Sequence, residues 1–164
     1  MYFLITWTTH GYWLPGDPRG FRTHRATRLI EPPARYASDD ERPYDSSNYE
    51  RLHNYSASRS SQAIRLNTQQ METAARILIE VGSPLAADCL VSVEPFHVHV
   101  LADLLPKVTT GFFCNRIKSR SSLRLSEYGL KGKVWARRYH ARRLAPGDVG
   151  NARRYILSHA NQGA

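Results

Sequence analysis

His97 and His99 stand one residue apart in the apolar run Phe96-His97-Val98-His99-Val100. A strand alternates its side chains between two faces, so both imidazoles point one way and the two valines the other. Two neutral imidazoles held side by side can ligate a divalent metal ion. Near the C-terminus, Tyr155 and His159 are four residues apart in Arg154-Tyr155-Ile156-Leu157-Ser158-His159, a spacing that puts both on one helix face. A helix laid across the sheet could bring that phenol and third imidazole to the histidine pair. Three nitrogens with open positions would hold Mg²⁺ or Mn²⁺, and the nitrogen-rich set tilts the choice toward Mn²⁺. The metal would polarise a scissile phosphate. The phenol, with an ordinary pKa of about 10, would be activated by the adjacent cation or a nearby base and attack phosphorus in line. The expected product is a phosphotyrosine.

Plainer uses exist for each residue: a sheet-face histidine pair, a packing aromatic, and a histidine favourably placed at a helix C-terminus. Two other tyrosines compete for the nucleophile's role. Tyr128 has no well-placed partner, and Tyr139 alternates to the strand face opposite His140. Tyr155 is the expected nucleophile.

The elements that must position these groups can be read from pattern. Tyr2 to Thr9 is β-branched and aromatic, a buried first strand, and His10-Gly11 and the Pro/Gly-rich Trp13 to Gly20 end it. From about residue 15 to 66 the chain is polar, with Pro32-Pro33, Asp39-Asp40-Glu41 and a serine-rich stretch, and shows no sustained periodicity. A long irregular insertion is expected there, with Tyr36, Tyr44, Tyr49 and Tyr55 available to pack it down. Asn67 and Gln70 form a capping box before Met71, Ala74, Ala75, Leu78 and Ile79 at helical spacing, and Gly82-Ser83-Pro84 stops that helix. Cys89–Val93 and Phe96–Leu101 read as strands around the tight Glu94-Pro95 connection. A helix follows over about 107–128, then a strand over 134–144, then a helix through His159. The order predicts an α+β fold, a ferredoxin-like split β-α-β core with an antiparallel sheet and an added C-terminal helix, in one domain spanning 1–164.

Charge is asymmetric. Residues 1–103 hold 10 Lys+Arg against 12 Asp+Glu, whereas 104–164 hold 13 against 2, so the net +9 arises in the last third. A basic face favours a polyanion, nucleic acid before an acidic protein or a membrane surface. Trp135, Arg137, Arg138, Tyr139, Arg142 and Arg143 interleave aromatics with cations, which suits stacking on unpaired bases and phosphate contacts. Lys118 and Arg120, with Lys107, Arg116 and Arg124, would continue that track along the preceding helix. No run approaches the roughly 20 apolar residues of a membrane span. Cys89 and Cys114 have no metal-ligand spacing, so a cytoplasmic protein with reduced thiols is expected.

These residues carry a resemblance. His97-Val98-His99 resembles the histidine-hydrophobe-histidine motif of the single-tyrosine HUH transposases, of the insertion-sequence transposase A and REP-associated types. The opening Phe3-Leu4-Ile5-Thr6-Trp7-Thr8-Thr9-His10-Gly11, with Trp13 to Asp17 and Arg19-Gly20, is similar to that of one bacterial branch. The resemblance leaves 21–66 unmatched. It implies a ferredoxin-like core that binds hairpin-bearing single-stranded DNA, then cuts and rejoins it through a 5′-phosphotyrosine with a divalent metal. Carried over, Tyr155 is the nucleophile and His97 and His99 are two metal ligands. The third ligand on the tyrosine's helix is His159, with Gln162, seven residues past Tyr155, ranked second. A homodimer is compatible with this reading. The runner-up is a non-catalytic hairpin-binding protein derived from such an enzyme, and a third reading is a hydrolase using activated water.

Overall fold

A computed structural model describes residues 1–19, 45–60 and 62–160. The chain divides into two compact units, Met1–His10 with Ile64–Ala164, and Gly11–Ala63.

The larger unit contains β1 (Tyr2–Thr8), and its smaller companion contains α1 (Glu50–Arg59); the larger unit then continues through α2 (Thr68–Gly82), β2 (Ala86–Val93), β3 (His97–Leu104), α3 (Thr110–Leu125), β4 (His140–Arg143) and α4 (Val149–Ala160). The strands form one antiparallel sheet in the order β2-β3-β1-β4. Because β3 separates β1 from β2 and β4 closes the other edge, the connectivity is the expected ferredoxin-like split β-α-β. The fold is α+β, with the predicted C-terminal helix present.

Alternation sorts the sheet into two faces. Ile5, Trp7, Val91, Val98, Val100, Ala102 and Leu104 meet the apolar stripes of α2 and α3 in the main core. Leu101, on the other face, packs with Leu144 and with Ala152 and Ile156 of α4, flanked by Tyr2, Leu4 and Leu90. The sheet is therefore covered by α2 and α3 on one side and by α4 on the other.

Local chemistry sets the ends of the helices. Asn67 accepts a hydrogen bond from Gln70 N at 2.8 Å and its own N–H donates to Gln70 Oε1 at 3.1 Å, which is the predicted capping box at the start of α2. Thr109 caps α3 by accepting from Phe112 N, and Gly129, with φ of +86°, takes the left-handed conformation that ends the following turn.

The last strand is shorter than the 134–144 read from the sequence. Val134 and Trp135 are buried, and only an isolated Thr9–Trp135 bridge precedes β4. The carbonyls of Arg137 and Arg138 accept from Lys118 Nζ, at 3.2 and 3.0 Å, instead of from a neighbouring strand.

The second unit corrects the reading of 15–66 as irregular throughout. Glu50–Arg59 is helical, but it buries none of its residues, so no apolar stripe marked it. Asp45 caps the 3₁₀ turn Ser46–Tyr49 that leads into it. Within this unit the Arg19 guanidinium lies over the Tyr12 and Trp13 rings and donates two bonds to the buried Asp17 carboxylate, at 2.8 and 2.7 Å. Gly16 has φ of +82°, and a Cβ there would meet His53 N at 2.5 Å, so both conformation and space demand glycine. The Pro/Gly-rich motif thus has a structural use. Pro32-Pro33, Asp39 to Glu41, Tyr36 and Tyr44 lie outside the described residues. Cys89 and Cys114 are free thiols, and no described helix is long and apolar enough to cross a membrane.

Candidate active site and basic surface

The site is built on the sheet face that α4 covers. His97 and His99 alternate with the buried Val98 and Val100, and their rings lie nearly parallel with centroids 6.3 Å apart. Helix α4 is seated over them by Ile156, which is fully buried, and by Ala152. At its flank Arg153 pairs with Asp88 of β2, whose carboxylate also accepts from Tyr2 OH at 3.0 Å. This anchoring carries Tyr155 to His99, edge-on with ring centroids 5.4 Å apart, and brings the His159 ring within 5.9 Å of His99 and 4.2 Å of Tyr155. Four of the residues singled out by spacing therefore share one site in a single copy of the chain. Gln162 lies outside the described residues.

A fifth residue belongs with them. Glu94 N donates to His97 O at 2.8 Å, closing the tight turn between β2 and β3. Opposed residues of a hairpin share a face, so the turn sets the Glu94 carboxylate beside the histidines. Its Oε1 is 3.5 Å from His99 Nε2 and 3.9 Å from His159 Nε2, yet it is buried without a hydrogen-bond partner. The sequence reading took Glu94-Pro95 as a connection only. Continuing the alternation of Ser92 and Glu94 against Val91 and Val93 would have found it.

Protons and charge can be assigned from these contacts. A carbonyl oxygen only accepts, so the 2.8 Å contact between His159 Nδ1 and Tyr155 O places the proton on Nδ1. In the neutral ring Nε2 then offers a lone pair toward Glu94. His99 Nδ1 shares a 3.2 Å hydrogen bond with Thr6 Oγ1, which fixes its ring and leaves Nε2 facing the same carboxylate. Burial holds the His99 imidazole below its ordinary pKa, against the opposing pull of Glu94, so the ring is neutral near pH 7. The Tyr155 phenol is raised, first by burial and then by the Glu94 charge. Nothing on the site's own side chains favours the phenolate.

This donor set suits a divalent cation: imidazole nitrogens and a carboxylate whose Oε1 has no hydrogen-bond partner. Among the described residues, no three His, Cys, Asp or Glu side chains are already gathered into a closed metal cluster. Two ligands of one ion with bonds of about 2.1 Å stand at most about 4.2 Å apart. The Glu94 spacings of 3.5 and 3.9 Å to His99 and His159 fall inside that span.

The basic residues do not form the single track expected of them. Trp135 is 6% exposed, meets Trp7 edge-on in the core, and donates Nε1–H to Ser121 Oγ at 2.8 Å, so it has no free face for a base. Lys118 is 9% exposed, and its ammonium is engaged by two backbone carbonyls and lies near the Trp7 and Tyr139 rings. Tyr139 is half-buried against the main core. Arg120 is exposed on α3, where with Arg116 and Arg124 it lines a groove toward Glu80 of α2. Arg137, Arg138, Arg142 and Arg143 are exposed. Of these, Arg142 pairs with Leu4 and His140 with Thr6, which puts both on the face that carries His97 and His99. Aromatic and basic letters in one run could not distinguish the core-facing side chains from the others.

Lys118 makes stability depend on alkaline pH. Burial pushes its ammonium down to about 8, below the roughly 10.4 of an unfolded lysine. The folded state gives up the proton first, so the cost of the buried charge is fully present below about pH 8. That cost is relieved between about pH 8 and 10.4, while the unfolded chain stays protonated. Measured by urea midpoints against Lys118→Met, the wild type should gain with rising pH across this window, by at most on the order of 3 kcal/mol. The two carbonyls favour the charged form and reduce the gain. A difference that stays flat or falls would contradict the assignment.

No family model matches the chain, and no curated protein matches it. Among solved structures, it is similar to a "putative transposase from Deinococcus radiodurans R1", with 13% identity and a TM-score of 0.45 over 97% of this chain and 90% of that one. Those figures are too low to transfer a role from that protein to this chain.

Proposed function

We propose that this chain is a metal-dependent DNA strand transferase that binds hairpin-bearing single-stranded DNA and cleaves and rejoins it through Tyr155. The supporting observation is the meeting of Tyr155 and His159 with the His97–His99 pair on one sheet face. In the proposed reaction the Tyr155 oxygen attacks the scissile phosphorus, the bond from phosphorus to the 3′ oxygen breaks, and the 5′ phosphate becomes joined to the tyrosine. The phenolic proton passes to solvent and the departing 3′ oxygen leaves as a hydroxyl. Attack by a 3′ hydroxyl on the phosphotyrosine reverses the exchange and rejoins a strand. His97, His99 and His159 are the proposed holders of Mg²⁺ or Mn²⁺. When bound, the ion supplies positive charge that offsets Glu94 and polarises the phosphate. His99, held by Thr6, and Tyr155, held by α4, fix the angle of approach.

The test is direct. Labelled hairpin single strands incubated with the protein and Mn²⁺ should give a slowly migrating covalent species on a denaturing gel, absent with EDTA. No adduct across a broad panel of hairpins would overturn the reading. The absence of a closed three-donor cluster among the described residues favours a second reading, hairpin binding without cleavage. Salt-dependent binding with no metal-stimulated scission would support it.

The placement of the arginines predicts unequal contributions to binding. Arg142→Ala should lower hairpin affinity and reduce the slope of log affinity against log salt by about 0.7, the value for one phosphate contact on a single strand. Arg120→Ala, on the far side of the sheet, should leave both within error. Equal losses from the two variants in filter binding would show that DNA does not track the histidine face.

A further inference from the structure

Glu94 is the charged group of the site for which spacing in the sequence assigned no use. Its Oε1 is buried without a hydrogen-bond partner, and a polar atom so placed is costly unless something meets it. The groups facing it make the arrangement more specific. His159 donates Nδ1–H to the Tyr155 carbonyl and so turns Nε2 toward Glu94, at 3.9 Å. His99, tied through Nδ1 to Thr6, presents Nε2 at 3.5 Å. Ser92 Oγ, on the strand beside His99, is likewise buried without a partner. Two imidazole Nε2 atoms and a carboxylate oxygen thus converge on one point of the sheet face.

We propose that Glu94 is itself a ligand of the divalent ion, joining His97, His99 and His159 in a carboxylate–imidazole set. The assignment rests on the metal-dependent reading above. The three sources are independent in sequence: the β2–β3 turn supplies the carboxylate, β3 two imidazoles and α4 a third. The bound ion therefore links the sheet to α4. A carboxylate also lowers the net charge of the ion's surroundings and suits Mn²⁺ or Mg²⁺ better than an all-imidazole set does. The rival use of Glu94 is an ion pair with a protonated His159, which needs no metal.

Mn²⁺ alone, titrated into Tyr155→Phe protein without DNA and followed by the loss of the free-ion paramagnetic resonance signal, separates the two. Glu94→Gln, which keeps size and removes charge, should weaken Mn²⁺ binding at least tenfold. Glu94→Asp, which keeps the charge but withdraws it by one methylene, should lose less. Melting curves in EDTA check that each variant is folded. Mn²⁺ affinity within twofold of the parent in a folded Glu94→Gln protein would overturn the proposal, as would equal losses from Glu94→Gln and Glu94→Asp with EDTA melting points lowered in both. Glu94-dependent Mn²⁺ binding in a protein that never forms a DNA adduct would sink the strand-transfer reading and leave the ligand assignment standing. Adduct formation with Mn²⁺ affinity indifferent to Glu94 would do the reverse.

Discussion

Tyr155→Phe is expected to remove the covalent protein–DNA species altogether, a fall of at least about 10³-fold, the scale on which loss of a covalent nucleophile is felt. The change deletes one oxygen and keeps the ring, so the edge-on contact with His99 at 5.4 Å and the neighbouring His159 ring have no cause to move. Tyr155 is 42% exposed and contributes little to the core. Melting temperature should therefore stay within about a degree, a surface change of this kind costing under about 0.5 kcal/mol. Hairpin affinity should stay within about twofold, because phosphate contacts carry most of it. The variant also separates nucleophiles. If water were the attacking group, strand scission would persist in Tyr155→Phe and only the adduct would be missing. If another phenol substituted, an adduct would remain, and Tyr128 and Tyr139 are the candidates. Tyr139 is packed against the main core face and Tyr128 lies in the turn after α3, so neither shares the face of His97 and His99.

Why some of this was readable in the sequence and some was not follows from range. Period-two alternation is a local property of the backbone, and it put His97 and His99 together opposite Val98 and Val100 as observed. The Asn67–Gln70 box is equally local and starts α2 where expected. Tyr155 and His159 are coupled by one helical turn, but their arrival at β3 depends on Ile156, Ala152 and the Arg153–Asp88 pair, which no spacing rule contains. Glu94 escaped notice because carboxylates in turns are ordinary; its meaning depends on the lone pairs opposite. Lys118 and Trp135 look like surface groups in a basic run and are buried because Ser121 and two carbonyls meet their polar atoms. Helix α1 has no buried side to announce it.

Ile156→Asp should disconnect the tyrosine from the histidines while sparing the main core. Ile156 is fully buried, at 0% exposure, and is the central apolar contact of α4 in a small cluster with the buried Leu101, Leu144 and Ala152. Leu101 stands directly beneath the helix, and the flanking Leu4 and Leu90 supply no partner for an ionised carboxylate. Burying that charge would cost several kcal/mol, whereas swinging α4 away exposes one small cluster. The cheaper response is local detachment. Hydrogen exchange should then show α4 amides losing protection, with β3 and α3 keeping theirs because Val98, Val100, Phe113 and Ile117 face the opposite side. Adduct yield should fall more than about 10²-fold, since an ångström of misplacement at a reacting atom already has that effect. Retained yield in a protein whose α4 exchanges freely would mean that Tyr155 needs no docking on its own sheet. The dependence should also run in the other direction: if one ion bridges Glu94, His99 and His159, Mn²⁺ should slow α4 exchange in the wild type and fail to do so in Glu94→Gln. Ligand-linked protection of this kind follows from binding the docked state alone.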